Sequence, residues 1–253
     1  MKKYQGFSKG GLVAIIAVVA FLGIAAFLVI DGNNKATNYD NYDFYSIITG
    51  DEHTGNISDH VKGDANAPVV VFEYADFQCP GCASINPRVN AAVEAADGKL
   101  AVVYRNNILP YHQNGTAAAS AAEAAGLQGY WKAYADLLFK NQSEWEYASA
   151  SERTALFIQY FKDVAGDAGD LDKFTADLSS KEVSQKISFD MGIAKRINVP
   201  ATPAFYIDGQ FIDWSNKDGG SIETKKGLIT WDSTLTGEQF EDLLLKIAEA
   251  NAE

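Results

Sequence analysis

The chain's two cysteines stand close together, in the segment Cys79-Pro80-Gly81-Cys82. A C-x-x-C spacing lets one disulfide close on a single helical turn, and this pair follows an apolar run and precedes a predicted helix. Unpaired N–H groups and the positive dipole end at a helix start favour a thiolate, which lowers the pKa of the first cysteine. The spacing therefore predicts a redox pair in which Cys79 attacks and Cys82 resolves the mixed disulfide.

Three other uses of a C-x-x-C pair fit the sequence less well. A zinc site needs two further ligands, yet the three histidines, at positions 53, 60 and 112, have neither H-x-H nor H-x3-H spacing. Haem attachment needs a histidine directly after the second cysteine, where this chain has Ala83. A structural disulfide gains little from closing so small a loop. We therefore expect neither a metal nor an organic cofactor.

Glu73 lies six residues before Cys79, inside the apolar run of residues 69–74. Such a run is typical of a central strand that is buried on both faces. We expect a carboxylate there to have a raised pKa and to exchange a proton with Cys82 through water. In the alternative that the sequence leaves open, the run is an edge strand and Glu73 faces solvent.

Thr202-Pro203 directly precedes a short predicted strand, Ala204–Ile207. Proline is allowed at a strand start because its missing N–H is not needed there. We hypothesise a cis bond at Pro203, which would bring the Thr202 backbone beside the sulfurs. The N–H and C=O of Thr202 could then pair with an extended substrate chain.

The predicted elements around these residues follow a recognisable order. The strand at 69–74, a helix at 83–96 that Pro87 should kink, and a strand at 99–106 form a βαβ pattern. A hairpin with an Asp-Gly turn and a helix opened by a capping box come last. Between these two parts the pattern predicts a helical block, with stretches at 116–139, 151–164, 171–178 and 183–197.

The N-terminal part of the chain predicts a membrane anchor. Residues 12–30 form a run of 19 uncharged residues, long enough to cross a bilayer as a helix. The lysines of the basic tail at 1–11 should stay in the cytoplasm, which places the rest of the chain outside it. A cleaved signal peptide is the alternative. Residues 31–57 are polar and predict a linker, although 44–48 could pack on the folded domain at 58–253.

Charge excludes some partners. The chain carries a net charge of −12, and residues 1–30 hold three lysines and no acid, so the remaining chain carries −15. An acidic body argues against a nucleic-acid partner, because phosphate binding needs clustered Lys and Arg. It also argues against docking onto an anionic lipid surface.

The sequence resembles the DsbA-like branch of the thiol-disulfide oxidoreductases. The resemblance covers about residues 58–250, and it implies an α/β thioredoxin fold with an inserted helical domain at about 112–197, preceded here by one transmembrane helix. Three motifs in the right order carry it: VFEYADFQCPGC at 71–82, QGYW at 128–131 followed by LLF at 137–139, and INVPATPAF at 197–205.

The resemblance implies roles for individual residues. Cys79 is the nucleophile, Cys82 the resolving thiol, Glu73 the buried acid, and Thr202-Pro203 the cis-proline loop. The implied activity is dithiol-disulfide exchange on unfolded or partly folded exported proteins. A membrane redox partner would then recycle the cysteine pair.

One departure from the family leaves the direction of exchange open. The best-studied oxidases carry Pro-His between the cysteines, whereas this chain has Pro80-Gly81 and no imidazole at that position. We prefer oxidation, because disulfides persist outside the cytosol. A reductase or isomerase of the same fold is one alternative, and a non-catalytic, membrane-tethered peptide-binding module is another. His112 either lies near the site or belongs to a surface loop.

Overall fold

A five-stranded sheet forms the centre of the protein in a computed structural model, which describes residues 37–252. The strands are His60–Lys62 (β1), Val69–Ala75 (β2), Leu100–Asn106 (β3), Ala204–Ile207 (β4) and Gln210–Ile212 (β5). They lie in the order β1-β3-β2-β4-β5.

Strand β2 is the middle strand, as its apolar run predicts. It pairs in parallel with β3, where Glu73 stands opposite Tyr104, and antiparallel with β4, where Glu73 stands opposite Phe205. Every residue of β3 and all but one of β2 are buried. Strands covered on both faces need apolar side chains on both faces, which explains the run.

A helix at Pro80–Ala95 (α1) connects the two parallel strands and confirms the βαβ unit. Its first residue is a proline, which suits that position because the missing N–H has no partner there. The helix runs through Pro87, where the sequence predicts a kink. The last helix, Gly237–Asn251 (α8), starts at the predicted capping box of Thr236 and Gln239 and packs against α1.

The predicted helical block lies between β3 and β4. The stretch at 116–139 is two helices rather than one, because the chain turns at residues 127–130, where Gly129 adopts a positive φ of 85° that a glycine allows. The block consists of Gly115–Gly126 (α2), Trp131–Lys140 (α3), Gln142–Trp145 (α4), Ala150–Ala165 (α5), Leu171–Asp177 (α6) and Lys181–Arg196 (α7).

The segment 37–57 packs on the domain, whereas the sequence predicts a polar linker. Tyr39 and Ile48 are buried in the apolar cluster that covers one face of the sheet. Arg105, fully buried on β3, donates to the carbonyl oxygens of Phe44 and Ser46. The segment stays in place because a buried guanidinium needs acceptors, and this backbone supplies two of them.

A second hairpin follows β5 and consists of Gly220–Thr224 (β6) and Gly227–Trp231 (β7). The Gln210 side chain on β5 bonds both the N–H and the C=O of Glu223 on β6. Ile222 of β6 joins the apolar cluster beneath α8. The long polar connection at 214–231 thus covers the β5 edge of the sheet.

Within residues 37–252, no helix has the length and apolar character that crossing a bilayer requires. The predicted anchor at 12–30 and the basic tail at 1–11 lie outside the described residues.

Candidate active site

The two cysteines occupy different positions at the start of α1. Cys79 is the N-cap residue, with extended backbone angles of −77° and 121°, and Cys82 lies in the first turn. Both are free thiols. Cys79 retains 7% of its surface, whereas Cys82 has none. The sulfur that can be reached is therefore that of Cys79.

The loop before β4 covers this helix start. The Thr202–Pro203 peptide bond is cis, and the Cys79 thiol donates to the Thr202 carbonyl oxygen at 3.3 Å. Gly81 faces the same loop, because a side-chain carbon added there would stand 3.2 Å from Pro203 Cδ and 3.6 Å from Cys79 Sγ. The structure thus brings together Cys79, Gly81, Thr202 and Pro203.

The two thiols differ strongly in acidity. A hydrogen bond from the Cys82 side chain is the main cause that lowers the pKa of Cys79 to about 5, and the Thr202 side chain and the N–H groups at the helix start add to it. Burial is the main cause that raises the pKa of Cys82 well above its usual value, and the neighbouring Cys79 adds to it. This pair has one stabilised thiolate and one thiol that keeps its proton.

Glu73 is fully buried, so it does not face solvent from an edge strand. Lys62 on β1, for which the sequence gives no signal, donates to Glu73 Oε2 at 3.2 Å and to Asn86 Oδ1 at 2.8 Å. The ammonium is only 1% exposed and balances the carboxylate charge within the core. The other oxygen, Oε1, is buried without a hydrogen-bond partner among the described residues. The negative charge of Glu73 contributes to the raised pKa of Cys82.

Asp76, three residues before Cys79, organises the loop that leads to the cysteines. Its backbone carbonyl accepts from the Cys79 N–H at 3.0 Å. Its carboxylate accepts from the Gln78 N–H at 2.8 Å, from the Leu109 N–H at 2.9 Å, and from His112 Nδ1 at 2.7 Å. His112 is therefore tied to the active-site loop and is not a free surface histidine.

The helical block fixes the active-site loop from the other side. The Gln142 amide donates to the carbonyl oxygens of Phe77, at 2.7 Å, and Cys79, at 3.1 Å. Gln78 donates to the Glu146 carbonyl oxygen and accepts from the Asn114 N–H. These contacts join the inserted helices to the loop, which holds the first cysteine in place.

No sequence signal singled out Lys62 or Gln142, because each is one polar residue in an otherwise ordinary segment. A buried acid such as Glu73 does imply a cation or a donor nearby, but the sequence does not say which strand supplies it. Among the described residues, no group of three or more His, Cys, Asp or Glu side chains is placed to hold a metal ion.

The sequence matches known proteins over most of the described fold. The family model Thioredoxin_4, described as thioredoxin, matches residues 55–221. A probable disulfide bond formation protein D of Bacillus cereus is 27% identical over 220 residues, which are 84% of this chain and 92% of that protein.

Two further similarities concern a larger protein and a solved structure. The Na(+)/H(+) antiporter NhaA 3 of Salinispora tropica is 33% identical over 153 residues, which are 60% of this chain but only 22% of the antiporter. The chain thus spans about a fifth of the length of such curated relatives. The crystal structure of oxidised BdbD from Bacillus subtilis aligns with 81% of this chain and 99% of its own, with a TM-score of 0.57 and 17% identity. This similarity shows the fold.

Proposed function

Because this chain belongs to the Thioredoxin_4 family and has the DsbA-like form of its fold, we propose that Cys79 and Cys82 introduce disulfides into exported proteins. One observation carries the proposal: the reachable sulfur of Cys79 stands at the start of α1, where Cys82 and the helix N–H groups lower its pKa to about 5, whereas Cys82 is fully buried and keeps its proton. A dithiol whose reduced form contains a stabilised thiolate gives up electrons reluctantly, so its disulfide form is an oxidant.

The exchange proceeds in two steps. A substrate thiolate attacks Sγ of Cys79 in the oxidised pair, the Cys79–Cys82 bond breaks, and Cys82 leaves as a thiolate that takes up a proton. A second thiolate of the substrate then attacks the substrate sulfur of the mixed disulfide and releases Cys79 as a thiolate. The substrate gains one disulfide and loses two electrons, which the cysteine pair holds. The low pKa of Cys79 makes it a good leaving group in the second step.

Glu73 serves the first step. The Cys82 thiolate forms where its negative charge is fully buried, so a proton has to reach it at once. Glu73 is close enough for its charge to act on Cys82, and its Oε1 has no hydrogen-bond partner among residues 37–252. In this proposal the carboxylate takes up a proton from solvent through water at Oε1 and passes it to Cys82, so that it is a carboxylate beside Lys62 again at the end of the step.

Substrates lie along the loop at Thr202 and Pro203. The loop stands directly over Cys79, and the dipeptide Pro80-Gly81 places no side chain beyond the proline ring in front of the sulfur. An extended, unfolded segment can pair with the Thr202 backbone while its cysteine meets Cys79. This favours unfolded or partly folded exported proteins as substrates.

The place of action is the outer side of the cytoplasmic membrane. Residues 12–30 anchor the chain, and the catalytic domain lies on the extracytoplasmic side. The Bacillus cereus relative is named for disulfide bond formation, which supports this setting. A redox protein of the same membrane reoxidises the pair after each cycle.

A reductase or isomerase is the second candidate, and one observation favours it. Gly81 provides no imidazole beside the Cys79 sulfur, so one source of thiolate stabilisation is absent from this position. If the reduced form is less stabilised than we propose, electrons flow from the pair to the substrate.

The reduction potential decides between the two directions. The full chain is equilibrated with glutathione buffers, and the reduced fraction of the Cys79–Cys82 pair is measured. We expect a potential near the value of about −120 mV that is typical of DsbA, whereas a value near thioredoxin's, about −270 mV, would show a reductant.

Two variants separate catalysis from simple peptide binding. Cys79→Ser should abolish oxidation of a reduced, unfolded protein. Cys82→Ser, given a protein that already contains a disulfide, should accumulate a mixed disulfide on Cys79, because its thiolate attacks that disulfide, releases one thiolate and has no second cysteine to resolve the product. Oxidation retained in Cys79→Ser would contradict the enzyme and support a peptide-binding module.

A further inference from the structure

The buried carboxylate of Asp76 joins the segment that precedes the cysteines to the loop after β3. Its backbone carbonyl accepts from the Cys79 N–H, and its carboxylate accepts from the Gln78 N–H at Oδ1 and from the Leu109 N–H at Oδ2. Two of the three donors are backbone N–H groups. The third, His112 Nδ1, comes from a side chain, and it must carry the proton because an ionised carboxylate can only accept.

We propose that His112 is a positioning residue for the cysteine pair, whose hydrogen bond fixes the Asp76 carboxylate and offsets part of its charge beside the loop that carries Cys79. The inference rests on the proposed function, since it concerns the same pair. Asp76 is 1% exposed, so bulk water does not screen its charge. A buried negative charge near the helix start disfavours a thiolate there, and the loss of the His112 donor leaves that charge less compensated.

The fully buried phenol of Tyr104 lies close to the Asp76 carboxylate as well as to Cys82. Burial raises the pKa of Tyr104, and the neighbouring Cys82, Asp76, Glu73 and Glu123 raise it further. The Asp76 carboxylate therefore belongs to the same buried, acidic surroundings as the cysteine pair.

Other side chains hold the loop at 107–114 by contacts that do not involve Asp76. The Tyr111 ring packs edge-on against the His112 ring, with their centroids 4.6 Å apart. On the side of the helical block, Arg153 donates to the Asn114 side chain, whose amide in turn donates to the Glu146 carbonyl oxygen. These contacts hold the loop itself, so the loss of the His112 donor changes the surroundings of the Asp76 carboxylate while the loop stays in place.

The chain offers a matched control pair. His60 Nε2 lies 2.6 Å from Glu123 Oε2, and in both histidine–carboxylate pairs the histidine side chain is 12% exposed and the acid is fully buried. Glu123 lies on α2, however, and contacts Asn106 rather than the segment that precedes Cys79. A general effect of removing a largely buried histidine should therefore appear in the variants of both His60 and His112.

The experiment compares His112→Phe, His112→Gln and His60→Phe in the full chain. Two quantities are measured: the pH profile of Cys79 alkylation, and the equilibrium constant of the cysteine pair with glutathione. In His112→Phe we expect the alkylation midpoint to move to higher pH, and the equilibrium constant to shift at least fivefold toward the disulfide form. At 29.6 mV per tenfold change, fivefold corresponds to about 20 mV.

His112→Gln should stay within twofold of the wild type, because its amide can still donate to Asp76, and His60→Phe should also stay within twofold. An unchanged His112→Phe, an equal shift in His60→Phe, or a shift in His112→Gln as large as in His112→Phe would each overturn the inference. If His112→Phe does not fold, His112→Leu replaces it with the same expectation. A wild-type pair that does not equilibrate with glutathione at all overturns the proposed function, and this inference with it.

Discussion

The Cys79 sulfur lies 3.3 Å from the Thr202 carbonyl oxygen, although 123 residues separate the two in the sequence. A carbonyl oxygen accepts a proton from a thiol but repels a thiolate, so this contact by itself does not make Cys79 acidic. The hydrogen bond from Cys82 is the main cause of the low pKa of Cys79. The Thr202 carbonyl thus orients the sulfur, and the partner cysteine is the main group that activates it.

The thiolate of Cys79 should make the stability of the reduced protein depend on pH. The pKa falls from 9.0, the ordinary value, to about 5 in the folded state. Between these values the unfolded chain binds one more proton than the folded one, so stability rises with pH, is complete above about 9, and is lost as pH falls through about 5. Burial keeps Cys82 protonated in the folded state, and the unfolded chain loses that proton only near the ordinary value of 9.0, so Cys82 contributes little to the pH dependence below it.

This dependence is measured as the free energy of unfolding of the reduced protein in urea, from pH 5 to 9. The same series with reduced Cys79→Ser removes the contribution of all other groups. We expect the difference between the two proteins to grow steadily with pH. A difference that stays flat would show that Cys79 is not a thiolate in the folded state.

Gly81→His should make the pair more oxidising. The added side chain starts 3.6 Å from the Cys79 sulfur, so its imidazole can donate to the thiolate and stabilise the reduced form. We expect the equilibrium with glutathione to shift about tenfold toward the reduced pair, or roughly 30 mV. The 3.2 Å approach to Pro203 Cδ requires a small shift of the loop.

Ser84→His is the control for Gly81→His. Ser84 lies one turn further along α1 and is exposed. The variant therefore adds the same imidazole to the same helix, at a greater distance from Cys79. It should leave the equilibrium within twofold of the wild type. If both variants shift it equally, the cause is the added charge on the helix rather than contact with Cys79.

The sequence predicts the sheet and the cysteine pair well, because both are local patterns. The apolar run at 69–74, the C-x-x-C spacing and the Thr236 capping box each depend on neighbouring residues, and the structure contains all three elements. The turn at 127–130 is less visible, since alanines and aromatic residues continue the helical pattern on both sides of Gly129.

Contacts between distant segments could not be predicted from local sequence patterns. Lys62 meets Glu73 only because β1 lies beside β3, and Gln142 reaches Cys79 only through the fold of the helical block. The segment at 37–57 has a polar composition, yet it is held by the buried Arg105. Its fixed position depends on a partner 50 or more residues away, which local composition does not show.

Removal of residues 1–57 should destabilise the domain. The truncation exposes the face that Tyr39 and Ile48 cover, and it leaves the buried Arg105 without two carbonyl acceptors. The loss of each large buried side chain costs about 2 kcal/mol, and unpaired polar groups add to this. A chain that begins at residue 37 is the control. It should unfold at the same urea concentration as a chain that begins at residue 31, directly after the predicted anchor. Equal midpoints for the two truncations would show that the segment adds no stability.

Lys62→Met should destabilise the oxidised protein by about 3 kcal/mol, because it leaves the fully buried Glu73 carboxylate without its counter-charge. The double variant with Glu73→Gln should regain part of this loss, since it removes the unpaired charge as well.

Lys132→Met is the matched control. Lys132 forms a pair with Asp136 at a similar distance of 3.1 Å, but its side chain is 52% exposed, so the loss of stability should stay below about 0.5 kcal/mol. Urea unfolding measures all three. Equal effects of the two lysine variants would contradict a stabilising buried ion pair. A double variant that is no more stable than Lys62→Met would show that Lys62 stabilises the core by packing rather than by its charge.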